Sequence, residues 1–176
     1  HYRFVAWVGD ELESIDPVLY ADADLAGCTT TQRSTSGAHM VLQGPNTCFP
    51  VAASSKRQTC VCKSTAEAEL VSSDYAIRQM ALPAASIWET MLPRYSGTTL
   101  MEDNQAMIRV LLTGRNPSMR YLGRTHRLVV ASLAELVEGE DIHVCYCETD
   151  NMSADIYTKA FTDPVKWREL CDRVNI

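Results

Sequence analysis

The stretch Val18-Leu19-Tyr20-Ala21-Asp22-Ala23-Asp24-Leu25-Ala26-Gly27 runs from apolar residues straight into a pair of carboxylates and then a glycine. It predicts a short strand, Val18 to Ala21, that delivers Asp22 at its exit. The Thr/Ser-rich residues Thr29 to Ser36 follow as a loop. Two more strands are expected at Ala38–Leu42 and Thr47–Ala52, split by Gln43-Gly44-Pro45-Asn46, which is hairpin-turn chemistry. Upstream, the acidic, proline-terminated run Asp10 to Pro17 reads as the end of a tether, so residues 1–17 are expected to precede the fold proper.

Downstream, Ser64-Thr65-Ala66-Glu67-Ala68-Glu69 opens the longest helical segment, with a hydroxyl N-cap and glutamates in the first turn. Pro83 should bend or divide it. Thr98 to Glu102 reads as a strand ending at Asp103. Helices are expected over Asn104–Leu112, closed by Gly114, and over Arg124–Val137, closed by Gly139. Ile142 to Cys147 alternates like a strand, and Met152–Lys159 and Pro164–Val174 read as helical. Three strands, a helix, a strand, helices, a strand and a helix describe a mixed α/β sheet with a helical back.

A chain of 176 residues, 46% of them apolar, supports one domain with a full core. With no run of eighteen apolar residues and no signal-peptide pattern at the start, it is expected to be soluble and intracellular, without a membrane partner. The seven cysteines form no CxxC pair and fit reduced thiols. Zinc binding across the CxC pairs Cys60/Cys62 and Cys145/Cys147 is conceivable, but core or surface thiols are the preferred reading. A net charge of −6 speaks against nucleic acid. Its distribution speaks the other way. The interval between Asp24 and Glu67 has no acid but holds Arg33, Lys56, Arg57 and Lys63, and the interval between Asp103 and Glu135 holds Arg109, Arg115, Arg120, Arg124 and Arg127. Two locally cationic stretches suit a polyanion.

Asp22 leaves a strand, Glu69 sits one turn into a helix, Asp103 ends a strand at a helix start, and Asp155 lies in a late helix. Acids so placed can converge on one sheet edge, where a hard divalent cation would offset their repulsion. Carboxylates without a Cys/His cluster select magnesium or manganese over zinc. Spacing alone is weak support, because 22 acids offer many quartets.

The motifs are more specific. Tyr20-Ala21-Asp22-Ala23-Asp24-Leu25-Ala26-Gly27, Arg33-Ser34-Thr35-Ser36-Gly37, Ser64-Thr65-Ala66-Glu67-Ala68-Glu69, Glu102-Asp103-Asn104-Gln105-Ala106 and Ala154-Asp155-Ile156-Tyr157-Thr158-Lys159 occur in this order. Together they resemble the ribonuclease H domain of copia-type retrotransposon polyproteins, which reads approximately SDADWAG, RSTSG, SSTEAEY, CDNQSA and ADIFTK. The resemblance covers residues 18–162, leaving 163–176 as a C-terminal helical extension.

It implies a ribonuclease H-like fold, with three antiparallel strands and two parallel ones in a sheet flanked by helices. It further implies hydrolysis of the RNA strand of an RNA–DNA hybrid during reverse transcription. Asp22, Glu69, Asp103 and Asp155 would be the catalytic ligands of two magnesium ions, with manganese as a substitute and no small-molecule cofactor. A reverse transcriptase would precede the domain in the same polyprotein, working in a cytoplasmic virus-like particle or the nucleus. Leu25 stands where the family often has tryptophan. Gly123-Arg124-Thr125-His126-Arg127 departs from the usual RTKHID, with the histidine displaced by one place and Val129 in the position of the aspartate.

Asp24 shares a strand face with Asp22 and is an outer-shell candidate beside a surface role. Glu67 points away from Glu69 and reads as a first-turn dipole residue. Glu102 alternates with Asp103 and should face the other side, solvated or salt-bridged. His126 is a candidate for the outer metal shell, with a structural or phosphate contact preferred. His39 and His143 read as exposed strand residues. Hybrid binding would draw on Arg33, Ser36, Lys56, Arg57, Asn104 and Gln105, through backbone and shape contacts. A non-catalytic remnant or domesticated module keeping the fold is the alternative, favoured by the net −6 and the altered histidine region. An integrase or junction resolvase fits the motif order less well.

Overall fold

The computed structural model describes residues 3–116 and 119–176. Five strands, β1 (Asp16–Asp24), β2 (Thr35–Gly44), β3 (Thr47–Arg57), β4 (Thr98–Glu102) and β5 (Ile142–Tyr146), form one sheet in the order β3-β2-β1-β4-β5. β1, β2 and β3 pair antiparallel, while β4 and β5 add in parallel. The mixed sheet with helices on its face is the expected architecture.

The hairpin turn is braced from outside. Asp10 accepts hydrogen bonds from the backbone N–H and the side-chain amide of Asn46 at 2.7 and 3.0 Å, and Thr47 Oγ1 accepts from the N–H groups of Gly9 and Asp10. Trp7 also bridges to Cys48 at the edge of the sheet. Ile15 is buried in the core, and β1 begins at Asp16, two residues before the expected Val18. The run expected as a tether therefore lies against the hairpin. At the other end, Leu170, Cys171 and Val174 are buried, and Val5 N–H donates to the carbonyl of Asn175.

Helix α1 (Thr65–Ala76) starts where the hydroxyl of Ser64 accepts from Glu67 N at 3.2 Å. It continues through a π-helical turn, Ile77–Ala81, into α2 (Leu82–Met91), so Pro83 neither divides nor ends the segment. The wider turn precedes a residue that has no N–H to give. Helix α3 (Gln105–Thr113) is capped by Asn104 and closed by Gly114 at φ +63°. The single helix expected over 124–137 is instead α4 (Leu122–Thr125) and α5 (Val130–Glu138), separated where Arg127 adopts φ +56°. Met152–Lys159 holds only a 3-10 segment, Ser153–Tyr157, and α6 (Pro164–Arg173) ends the chain.

Neighbouring strand residues point to opposite faces, and here both faces are covered. Leu19, Met40, Leu70, Leu100, Met107 and Leu133 pack in the main core. Tyr20 and Met101 meet Cys147, Met152 and Ala154 in a smaller cluster. His39 follows the same logic. It is buried rather than exposed, stacks on Tyr157 and has Nδ1 3.0 Å from its hydroxyl, because the 3-10 segment covers that face of β2. His143 is half-buried and donates from Nε2 to the carbonyl of Ser96 at 2.7 Å. Among the described residues, no helix is long and apolar enough to cross a membrane.

Candidate active site

Asp22 sits near the end of β1, opposite Gly37 of β2. Helix α1 is locked onto that position: Ser72 Oγ donates to the carbonyl of Asp22 at 2.6 Å and is 3.3 Å from that of Gly37. Glu69 lies on the same helix, one turn earlier, so a single contact sets both acids. Asp103 follows the last residue of β4 and is oriented by Thr149 Oγ1, which donates to Oδ2 at 2.8 Å. The ligand atoms of Asp22, Glu69 and Asp103 all lie within 4.8 Å of one another.

Asp155 enters from the 3-10 segment. Its Oδ1 is 2.5 Å from Lys159 Nζ, and the same ammonium is 3.6 Å from Asp22 Oδ2. The hydroxyl of Thr158 donates to Asp22 Oδ2. A cleft of about 630 Å³ opens over these groups, with Asp22, Glu69, Asp103, Asn104, Gln105 and Lys159 among its lining.

The electrostatics are unbalanced. Burial pushes Asp22 up to about 6, against the pull of Lys159 and Thr158. Burial, then the neighbouring Glu102, Asp22 and Asp103, push Glu69 far above the carboxylate range. Glu69 Oε2 is buried with no hydrogen-bond partner. Three converging oxygen-donor side chains, one with an orphaned oxygen, fit a hard divalent cation, which would supply the missing positive charge.

Glu102 departs from expectation. It is fully buried, accepts from Asn104 N at 3.1 Å and from Ser73 Oγ at 3.3 Å, and is raised first by burial. The alternation with Asp103 does not apply, because β4 ends at Glu102 and Asp103 already lies in the turn. Glu102 instead continues the buried face of Thr98 and Leu100, toward α1. Lys159 is the other unassigned member, although it stands four residues after Asp155 in a motif already singled out.

The remaining candidates divide. Asp24 borders the cleft, but its Oδ1 accepts from Thr35 N and its carboxylate lies against Gly27, where an added Cβ would collide with it. It holds the turn after β1. Asn104 and Gln105 line the cleft, with Asn104 Oδ1 capping α3. Ser36 is buried and accepts from Gln58 Nε2 at 3.0 Å, so its hydroxyl joins strand to loop and does not face a nucleic acid. Arg33 and Arg57 are exposed, and Lys56 Nζ lies 4.7 Å from the centre of the Tyr75 ring. His126 is not among the groups lining the cleft. It is enclosed between Cys62 and Glu67, and burial lowers its pKa. Glu67, read as a first-turn dipole residue, does lie in the first turn of α1 and is likewise buried.

No protein-family model matches the sequence, and comparison with curated proteins finds no match. The solved structures do show similarity. A ribonuclease H1 isolated from compost by a metagenomic approach superposes with a TM-score of 0.54 at 12% identity, over 81% of this chain and 92% of that one. The chain has the ribonuclease H fold. The same compost protein in complex with an RNA/DNA hybrid gives a TM-score of 0.53 at 12% identity, over 81% and 94% of the two chains. The N-terminal RNase H domain of Rv2228c from Mycobacterium tuberculosis gives 0.50 at 14% identity, over 82% and 91%. At such identities the likeness is one of fold, and within the ribonuclease H fold the acids above gather at one end of the central strands.

Proposed function

We propose that this chain is a metal-dependent ribonuclease that hydrolyses the RNA strand of an RNA–DNA hybrid, as the ribonuclease H domain of a copia-type retrotransposon polyprotein. The observation that carries this reading is the convergence of Asp22, Glu69 and Asp103 within 4.8 Å, on an open cleft. The hybrid bound by the compost protein of the same fold supports the choice of substrate.

Asp22, Glu69 and Asp103 would hold two magnesium ions, or manganese in their place, and Asp155 would complete the set once Lys159 swings from it. Such ions would supply the positive charge that activates a water and offsets charge on the leaving oxygen of an in-line displacement. The chain's own part is positioning. Ser72 and Thr158 hold Asp22, and Thr149 holds Asp103, so these two acids are set before any ion arrives. Asn104 and Gln105, which line the cleft, would meet a sugar or phosphate beside the acids. Arg33, Lys56 and Arg57 extend the contact along the hybrid. A reverse transcriptase in the same polyprotein would be the partner, in a cytoplasmic virus-like particle or the nucleus.

The test is cleavage of an RNA-labelled hybrid in magnesium or manganese, leaving 5′-phosphate on the RNA. Asp103→Asn should abolish cutting with folding retained. Hybrid binding without cleavage in either metal, also with the reverse transcriptase fused to the N-terminus, would overturn the reading and leave a binding module.

A further inference from the structure

A second group of metal-capable side chains lies at the start of α1, separate from the carboxylate cleft. Cys62, Glu67 and His126 each offer a donor atom, and these lie within 4.8 Å of one another. Cys62 Sγ is 3.6 Å from His126 Nε2, and His126 Nδ1 is 3.7 Å from Glu67 Oε1. All three are enclosed: the side chains of His126 and Glu67 are 2% and 1% exposed, and Cys62 is 6% exposed.

The two oxygens of Glu67 differ. Oε2 accepts from Tyr121 OH at 2.6 Å and from Lys63 N at 2.8 Å. Oε1 is buried without a hydrogen-bond partner, on the side where histidine and thiol converge. A buried oxygen of this kind carries the full desolvation cost of the group, which a cation would remove. A further thiol stands beside it: Cys60 Sγ is 2.8 Å from the carbonyl of Thr125, the residue before His126.

We propose that Cys62, His126 and Glu67, with Cys60 turning in as the fourth donor, form a structural site for one thiolate-binding divalent cation, zinc in the first instance. Mixed sulfur, nitrogen and oxygen donors at this spacing suit a tetrahedral zinc ion, whereas the all-oxygen set at Asp22 suits a hard one. Each thiol gives its proton to solvent as its sulfur–metal bond forms, and no oxidant is involved. The ion would pin the end of α4 to the first turn of α1, across 64 residues of chain, and so steady the helix that carries Glu69. The pair Cys145/Cys147 takes no part: Cys145 is exposed, and Cys147 packs with Met152 and Ala154.

Cobalt titration of chelator-treated chain tests this, because only a sulfur ligand gives a thiolate-to-cobalt charge-transfer band and the Asp22 centre has none. A single equivalent should raise the band, and excess zinc should remove it. Cys60→Ser should weaken it roughly by half, as expected for loss of one of two thiolates. Cys62→Ser should weaken it at least as far with the circular dichroism unchanged, and Cys145→Ser should leave it intact. No band in the unmodified chain, or one undiminished in Cys62→Ser, overturns the proposal. Should Cys62→Ser fail to fold, the part-exposed Cys60→Ser decides, and an undiminished band there overturns it equally.

Discussion

Lys159 places its ammonium 3.6 Å from Asp22 Oδ2 and 2.5 Å from Asp155 Oδ1, joining two acids that the chain separates by 133 positions. In the absence of a divalent ion this ammonium is the cation nearest Asp22 among the described residues. It is 39% exposed, so solvent screens much of the attraction. Lys159→Met should cost about 1 kcal/mol or less in urea unfolding without metal. It should also tighten magnesium binding, because the ion no longer competes with the ammonium for Asp155. Isothermal titration of both proteins checks the second effect, and weaker binding in the variant would show that Lys159 assists the site.

The raised pKa of Asp22 sets a pH dependence. Its folded value of about 6 lies above the unperturbed 3.8, so the unfolded chain releases this proton first as pH rises. The stability contributed by Asp22 is complete below the unfolded value, falls through the window between the two, and is lost above the folded value. Glu69 and Glu102 shift in the same direction and extend the loss upward. Measured in chelator, Asp22→Asn should therefore gain stability relative to the parent as pH rises from about 4 to about 7. Magnesium should stabilise the parent more at the upper end. A constant difference across the range would refute the assignment.

Glu102 is tested by comparing an isostere with an apolar residue. Glu102→Gln keeps an acceptor for Asn104 N, which now donates at 3.1 Å, and removes an acid from beside Glu69. Its stability should stay within about 1 kcal/mol of the parent. Glu102→Leu leaves the N–H unpaired and should cost about 1–3 kcal/mol. Denaturant midpoints separate the two outcomes.

Gly37 is where β2 passes closest to the 3-10 segment. A Cβ there would lie 2.5 Å from Thr158 Cγ2 and 2.8 Å from the carbonyl of Ala154. Gly37→Ala should displace the segment that carries Asp155, costing about 1–3 kcal/mol as overpacking does. Hybrid cleavage should fall in the same variant, and full activity with unchanged stability would show that the segment yields freely.

Arg57 should contribute charge rather than sequence reading. Arg57→Ala should weaken hybrid binding by a similar factor across sequences and reduce the logarithmic salt slope by about one. Fluorescence anisotropy at several salt concentrations gives both numbers. An unchanged slope would place Arg57 off the binding face.

Much of the fold was legible because the signals are local. The turn Gln43 to Asn46 announced the hairpin, Ser64 the start of α1, and Gly114 the end of α3, each through backbone chemistry settled within a few residues. The break at Arg127 was not legible, since a positive φ in a non-glycine residue carries no mark in the side chain. Ser36 looked like a loop hydroxyl until Gln58 closed over it, and His39 looked exposed until Tyr157 stacked on it.

By itself the sequence determined the succession of the strands and the caps at Ser64, Asn104 and Gly114, because periodicity and capping are properties of neighbouring residues, while the family resemblance singled out the acids Asp22, Glu69, Asp103 and Asp155. Only the tertiary structure decided what those acids meet. It sealed Glu102 behind Glu69, set Lys159 between Asp155 and Asp22, and carried His126 away from the cleft to Cys62 and Glu67. Burial and charge pairing depend on segments brought together from distant parts of the chain, and such proximity is a property of packing, not of order along the sequence.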